Sequence, residues 1–92
     1  MIVRIATEGQ YKVVSSLLDR LNEIDNRLVQ VVADGDQAAF AKTLGEMLAV
    51  VRAEGAAVAD EELVASDIIL PAPDTTLEEA RTLITGDGLI PG

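Results

Sequence analysis

The sequence predicts an α+β fold, in which a small antiparallel sheet is covered by an αα-hairpin and a short C-terminal helix. Two observations predict this class. Short segments rich in Ile and Val lie near both ends, and two segments with apolar residues at steps of three and four lie between them. The 92 residues have room for a single domain, 1–92. Only one Tyr and one Phe are present, so we expect an aliphatic core.

The predicted sheet has three strands. Residues 2–6 and 10–14 flank Thr7-Glu8-Gly9, a turn in which glycine can take a positive φ, so they form a β-hairpin. A third strand over about 66–70 ends before Pro71, which forces Leu70 out of helical geometry. We expect this strand to complete a three-stranded antiparallel sheet.

Two helices separate the predicted hairpin from the third strand. Ser15 or Ser16 offers a cap for helix 1, and Gly35 ends that helix near Asp34 in a left-handed conformation. Asp36 caps helix 2, which ends near Gly55, and residues 56–62 form a connector. The apolar faces consist of Leu17, Leu21, Ile24, Leu28, Val31 and Val32 in helix 1, and of Phe40, Leu44, Met47, Leu48 and Val51 in helix 2. The two helices therefore fold back on each other.

A final helix follows the prolines at 71 and 73. Thr75 or Thr76 caps it, and Thr75-Thr76-Leu77-Glu78 fits a capping box. Gly86 marks its end, and the apolar segment 89–92 is expected to dock on the domain.

The charge is concentrated toward the C-terminus. The net charge of the chain is −9. Residues 56–92 account for −7 of this charge, because they contain eight acidic residues and one arginine. Such a surface repels phosphate backbones and anionic lipid, so we expect neither nucleic-acid binding nor direct membrane insertion. A basic protein surface fits better, and Glu61 and Glu62 are candidate contacts for it. The same charge is also explained by solubility alone.

Asp25 is the polar residue that stands out in helix 1. At 100° per residue it falls inside the apolar stripe, where desolvation requires a compensating partner. Arg4 and Tyr11 are the candidate partners, which would make these three residues a buried polar group. Asp25 is then either a structural carboxylate, which fixes how helix 1 meets the sheet, or a binding or catalytic one.

Small residues form a line along helix 2, comprising Ala38, Ala41, Gly45 and Ala49. Glycine in a helix costs about 1 kcal/mol relative to alanine, so omission of the side chain at 45 suggests a close approach. That approach is made either by helix 1 or by a partner, for which Ala41, Gly45 and Ala49 are candidate contacts.

Reaction chemistry has little support in the sequence. The chain has no His and no Cys, and it has no glycine-rich phosphate loop. Asp34-Gly35-Asp36 lacks the later ligands of a calcium loop. We therefore expect no enzyme activity, no cofactor and no metal. The start MIVRIATEGQ has no signal-peptide pattern, which predicts a cytoplasmic protein.

Several segments together resemble a known family. MIVRI followed by EGQY, LNEIDNRLV, and ELVASDIILPAPDTTLEEARTLI with the closing GLIPG are similar to the PspA-associated proteins, PspAA, which are found beside PspA in actinobacteria. The resemblance covers nearly the whole chain and brings no catalytic residues with it. The matching positions are Glu8, Gly9, Gln10, Tyr11, Asn22, Asp25, Ser66, Asp67, Leu70 and Pro71.

This resemblance implies an accessory protein of the phage shock response, in which the coiled-coil protein PspA acts on membrane stress at the inner membrane face. It implies a non-enzymatic regulator that binds a PspA-like partner, with a cytoplasmic location at that face through PspA. The alternative is a self-assembling interaction module, a homo-oligomer without a PspA contact.

Overall fold

A computed structural model describes residues 1–59 and 64–83 of the chain. It contains a four-stranded sheet, two long helices that fold back on each other and a short third helix, so the predicted α+β class is confirmed. The strands are β1 (Ile2–Ile5), β2 (Gly9–Lys12), β3 (Ala56–Ala57) and β4 (Ile68–Leu70). The helices are α1 (Leu17–Asp34), α2 (Gln37–Glu54) and α3 (Leu77–Leu83).

The sheet is mixed, in the order β3-β2-β1-β4, so the prediction of an antiparallel, three-stranded sheet is wrong. β1 and β2 form the expected hairpin, with Thr7 and Gly9 at positive φ in the turn. β4, however, lies parallel to β1. The intervening chain returns across the sheet, and Asp67 fixes the register by accepting from the Ile2 amide and donating its own amide to the Ile2 carbonyl.

An additional strand, β3, occupies part of the predicted connector. Gly55 lets α2 run directly into it, since an added Cβ there would lie 2.6 Å from the Val51 carbonyl oxygen and 3.0 Å from the Tyr11 Cβ. β3 then pairs antiparallel with β2, with Ala57 opposite Tyr11.

The helix boundaries follow local capping signals. Gly35 takes the left-handed conformation at φ 73°, and the Asp36 side chain accepts from the Ala39 amide at 3.1 Å, as predicted. Ser16 precedes α1, but its hydroxyl makes no capping bond. The end expected at Gly86 and the segment 89–92 lie outside the described residues.

The capping box of α3 lies one residue later than predicted. The Glu79 carboxylate accepts from the Thr76 amide, and the Thr76 hydroxyl accepts from the Glu79 amide. Consecutive Thr and Glu pairs allow two registers, and this one keeps Leu77 in the core while its amide donates to Gln37 Oε1.

One core joins the sheet, the helical hairpin and α3. α3 contacts both long helices. Fully or almost fully buried side chains include Val3, Ile5, Leu21, Leu28, Phe40, Leu44, Met47, Leu48, Val51, Leu70 and Ala80. The core is aliphatic apart from Phe40. The outward side of the helical hairpin and the open face of the sheet remain outside this core.

Candidate functional site

Arg4 lies on the opposite side of the sheet from Asp25. Asp25 is 2% exposed on α1. Arg4 lies between the buried Val3 and Ile5, and since strand side chains alternate, it points to the open face of the sheet. There it is exposed, and its Nε donates to Ser66 Oγ at 3.4 Å. The sheet therefore separates Arg4 from the helical side, where Asp25 is buried.

Tyr11 lies on the helical side of the sheet, as its pairing with Val3 requires. It is half-buried and packs against the core at the C-terminal end of α2, close to Gly55. Its position there supports the transition from α2 to β3.

The small residues of α2 face outward. Ala41, Gly45 and Ala49 are exposed, and a Cβ added at Gly45 would meet no described atom within 4 Å. Close packing of Gly45 against α1 is therefore excluded as the reason for the glycine. Glu61 and Glu62, the other candidate contacts, lie outside the described residues.

A groove runs between α1 and α2 on the side away from the core, and we call it the outer groove. Its residues in the described ranges line two neighbouring open hollows of about 380 and 350 Å³. The first is lined by Arg20, Glu23, Ile24, Arg27, Glu46, Ala49 and Val50, and the second by Arg27, Gln30, Val31, Ala39, Lys42, Thr43 and Glu46. Ala49 is thus the small residue that also borders the groove.

Two ion pairs bridge the outer groove. Arg27 and Glu46 approach to 3.0 Å between the hollows, and Arg20 and Glu54 approach to 3.8 Å nearer the sheet. The arginines of these pairs belong to α1 and the glutamates to α2, while Glu23 on α1 and Lys42 on α2 also line the groove, so each rim carries charges of both signs. Their side chains remain 39–59% exposed, and exposed pairs of this kind contribute only about 0–1 kcal/mol to stability.

A third ion pair belongs to the scaffold. Glu8 in the β-hairpin turn accepts a bidentate pair of hydrogen bonds from the guanidinium group of Arg52 in α2. Hydrogen bonding to Glu8 raises the pKa of the Arg52 guanidinium above its ordinary value. This contact fixes the turn against the end of α2.

The residues that carry the family resemblance also form scaffold contacts. Gln10 donates from its amide nitrogen to the Val64 carbonyl at 2.9 Å and to Ser66 Oγ at 2.8 Å. Asp67 joins β4 to the start of β1, and Leu70 is fully buried. These positions hold the chain that crosses to β4.

The described residues supply neither a metal cluster nor a membrane-spanning helix. No group of three or more potential His, Cys, Asp or Glu ligands occurs within 1–59 and 64–83. Over the same ranges, no helix has the length and hydrophobicity needed to cross a bilayer. What the described surface offers is a groove between two helices with charged rims.

These features define a small α+β domain whose helical hairpin is open on its outward side. The family model described as PspA-Associated protein, PspAA, matches residues 1–92, the whole chain. The protein belongs to this family, whose name links it to PspA. Comparisons with curated proteins and with solved structures each gave no significant match.

Sequence reasoning did not identify the outer groove. One available signal for the groove was the spacing of Arg20 and Arg27, which are seven residues apart on α1. The turn at Gly35 was the other, because it sets an antiparallel register in which Arg27 and Glu46 are nearly equidistant from the bend.

Proposed function

We propose that this protein is a non-enzymatic accessory protein that binds a PspA-like coiled-coil protein and acts with it in the phage shock response to envelope stress. The match of the whole chain to the PspA-associated family carries this proposal. In this function the protein is cytoplasmic and reaches the inner membrane face through PspA.

The outward surface of α2 supports a protein partner. An exposed helix face is ordinarily polar, yet Ala38, Ala41, Gly45 and Ala49 are all exposed. Small side chains let another helix come close, and the adjoining outer groove gives that helix two hollows to fill. The same face favours the alternative function, in which copies of the chain associate with one another.

Size-exclusion chromatography with light scattering tests the proposal. The protein is measured alone and mixed with PspA from the same organism, at low and high salt. We expect a monomer that forms a complex with PspA, and we expect salt to weaken this complex because the chain is strongly acidic. A stable homo-oligomer that does not bind PspA would refute the proposal and favour self-assembly.

Charge reversal separates the two functions further. Glu61→Lys combined with Glu62→Lys should weaken binding to a basic partner surface. Self-association through the alanine-rich face of α2 should persist in the same variant, because it depends on apolar contact. Lys12→Glu, an exposed change on β2, serves as the single-site charge control.

A further inference from the structure

The floor of the outer groove and the two arginines of its α1 rim repeat at the same interval. Ile24 and Val31 on α1 are seven residues apart, as are Thr43 and Val50 on α2. On the α1 rim, Arg20 and Arg27 are also seven residues apart. Seven residues are two helical turns, so each of these positions recurs after about 10.5 Å along the groove.

This interval matches a helix with a heptad repeat. Such a helix places apolar side chains at two positions of every seven and charged side chains on the two flanks of that seam. Laid in the groove, its apolar side chains would enter the hollows of about 380 and 350 Å³. Its flanks would then lie along the two charged rims.

The rims specify the charge on each flank. The rim on α1 presents Arg20 and Arg27, while that on α2 presents Glu46 and Glu54. The complementary helix therefore carries acidic residues opposite Arg20 and Arg27 and basic residues opposite Glu46 and Glu54. The bridging ion pairs are largely exposed, so exchanging them for contacts with the partner sacrifices little stability.

Two further charges lie on these rims. Glu23 lies between Arg20 and Arg27 on α1 and lines the first hollow, and Lys42 on α2 lines the second; neither takes part in an ion pair among the described residues. A partner helix can satisfy both, with a basic residue opposite Glu23 and an acidic residue opposite Lys42.

We propose that the outer groove binds one helix of a coiled-coil partner, with acidic residues on its flank facing α1 and basic residues on its flank facing α2, to form a three-helix contact. This inference rests on the proposed function, because it locates the surface and defines the partner chemistry for that interaction.

The test inverts the rims while conserving the bridges within the chain. The variant carries Arg20→Glu, Arg27→Glu, Glu46→Arg and Glu54→Arg, which leaves the net charge unchanged. Its control, Lys12→Glu with Asp74→Lys, also conserves net charge and changes exposed residues outside the groove. Glu23→Lys is a second groove variant that alters no ion pair of the described chain. Thermal unfolding verifies that each variant is folded.

Binding to PspA from the same organism is measured by titration calorimetry at low salt. The inverted variant should bind at least about tenfold more weakly than the wild type, and Glu23→Lys should also bind more weakly. The control should stay within about threefold of the wild type. Groove variants that bind like the wild type would overturn the groove inference and leave the proposed function standing.

Two other outcomes would also overturn it. If the wild type itself does not bind PspA, the proposed function fails, and the groove inference fails with it. The wild type alone could instead form a dimer that Arg27→Glu disrupts and that the fourfold inversion restores. That result would show that a second copy of the chain occupies the groove, because the inversion preserves charge pairing between identical chains but not with an unaltered partner.

Discussion

Gly45→Ala should make the free protein more stable. Gly45 lies in the middle of the 18-residue helix α2, it is exposed, and an added Cβ would meet no described atom within 4 Å. The change therefore neither fills a cavity nor creates a clash. What remains is the difference in helix propensity, which favours alanine by about 0.8–1 kcal/mol.

The size of this effect is measurable in a small domain. For a chain of this length, 1 kcal/mol corresponds to a rise in melting temperature of about 4–8 °C. In urea, with a denaturant slope near the low end of its usual range, the midpoint should rise by about 0.5–1 M. The slope itself should not change, because the surface exposed on unfolding is nearly the same.

Ala41→Gly provides the matched control. It makes the reverse change at another exposed position of α2, so it should lower the free energy of unfolding by a similar amount. If Ala41→Gly destabilises the protein while Gly45→Ala does not stabilise it, the conclusion that a Cβ at position 45 has open space around it is refuted.

The same position also tests the partner surface. Leucine has a helix propensity close to that of alanine, so Gly45→Leu should leave the free protein at least as stable as the wild type. Weaker binding to PspA in that variant, together with undiminished stability, would show that the glycine serves an interface. Unchanged binding would place the partner away from this face.

Three further substitutions test the scaffold. Asp36→Ala should lower the free energy of unfolding by about 1 kcal/mol by removing the α2 cap, and an unchanged urea midpoint would contradict that role. Gly55→Ala should lower it by about 1–3 kcal/mol, because the added Cβ would lie 2.6 Å from a backbone carbonyl oxygen; thermal unfolding without a loss would refute that close approach. A double-mutant cycle on Glu8 and Arg52 should give a coupling of about 0.2–1 kcal/mol that falls with added salt, and a coupling of zero would show that the ion pair contributes nothing.

The features predicted correctly from the sequence are those set by neighbouring residues. The turn between α1 and α2 needs a residue that accepts φ 73° and a side chain that caps the next helix, and Gly35 and Asp36 supply both. The apolar faces of the long helices likewise follow from spacing along one element. These signals remain valid whatever the rest of the chain does.

The errors concern pairing between distant segments. Ala56 and Ala57 have no strand preference of their own, and they become β3 because Gly55 brings them to the edge of β2. The parallel direction of β4 depends on the path by which the chain returns to β1, which no local pattern encodes. The outer groove was missed for the same reason, since it requires the register of α1 against α2.

The central place of β1 in the sheet has a consequence for synthesis. β1 pairs on one edge with β2, which follows it within a few residues. Its other edge is completed by Asp67 and β4, and Asp67 is 65 residues away from its contact Ile2. A nascent chain emerging from the ribosome therefore carries an unprotected strand edge, flanked by Val3 and Ile5, until residues 68–70 have also emerged. Contacts that close so long a loop form slowly, so the N-terminal strand is exposed to aggregation in a chain whose translation stalls.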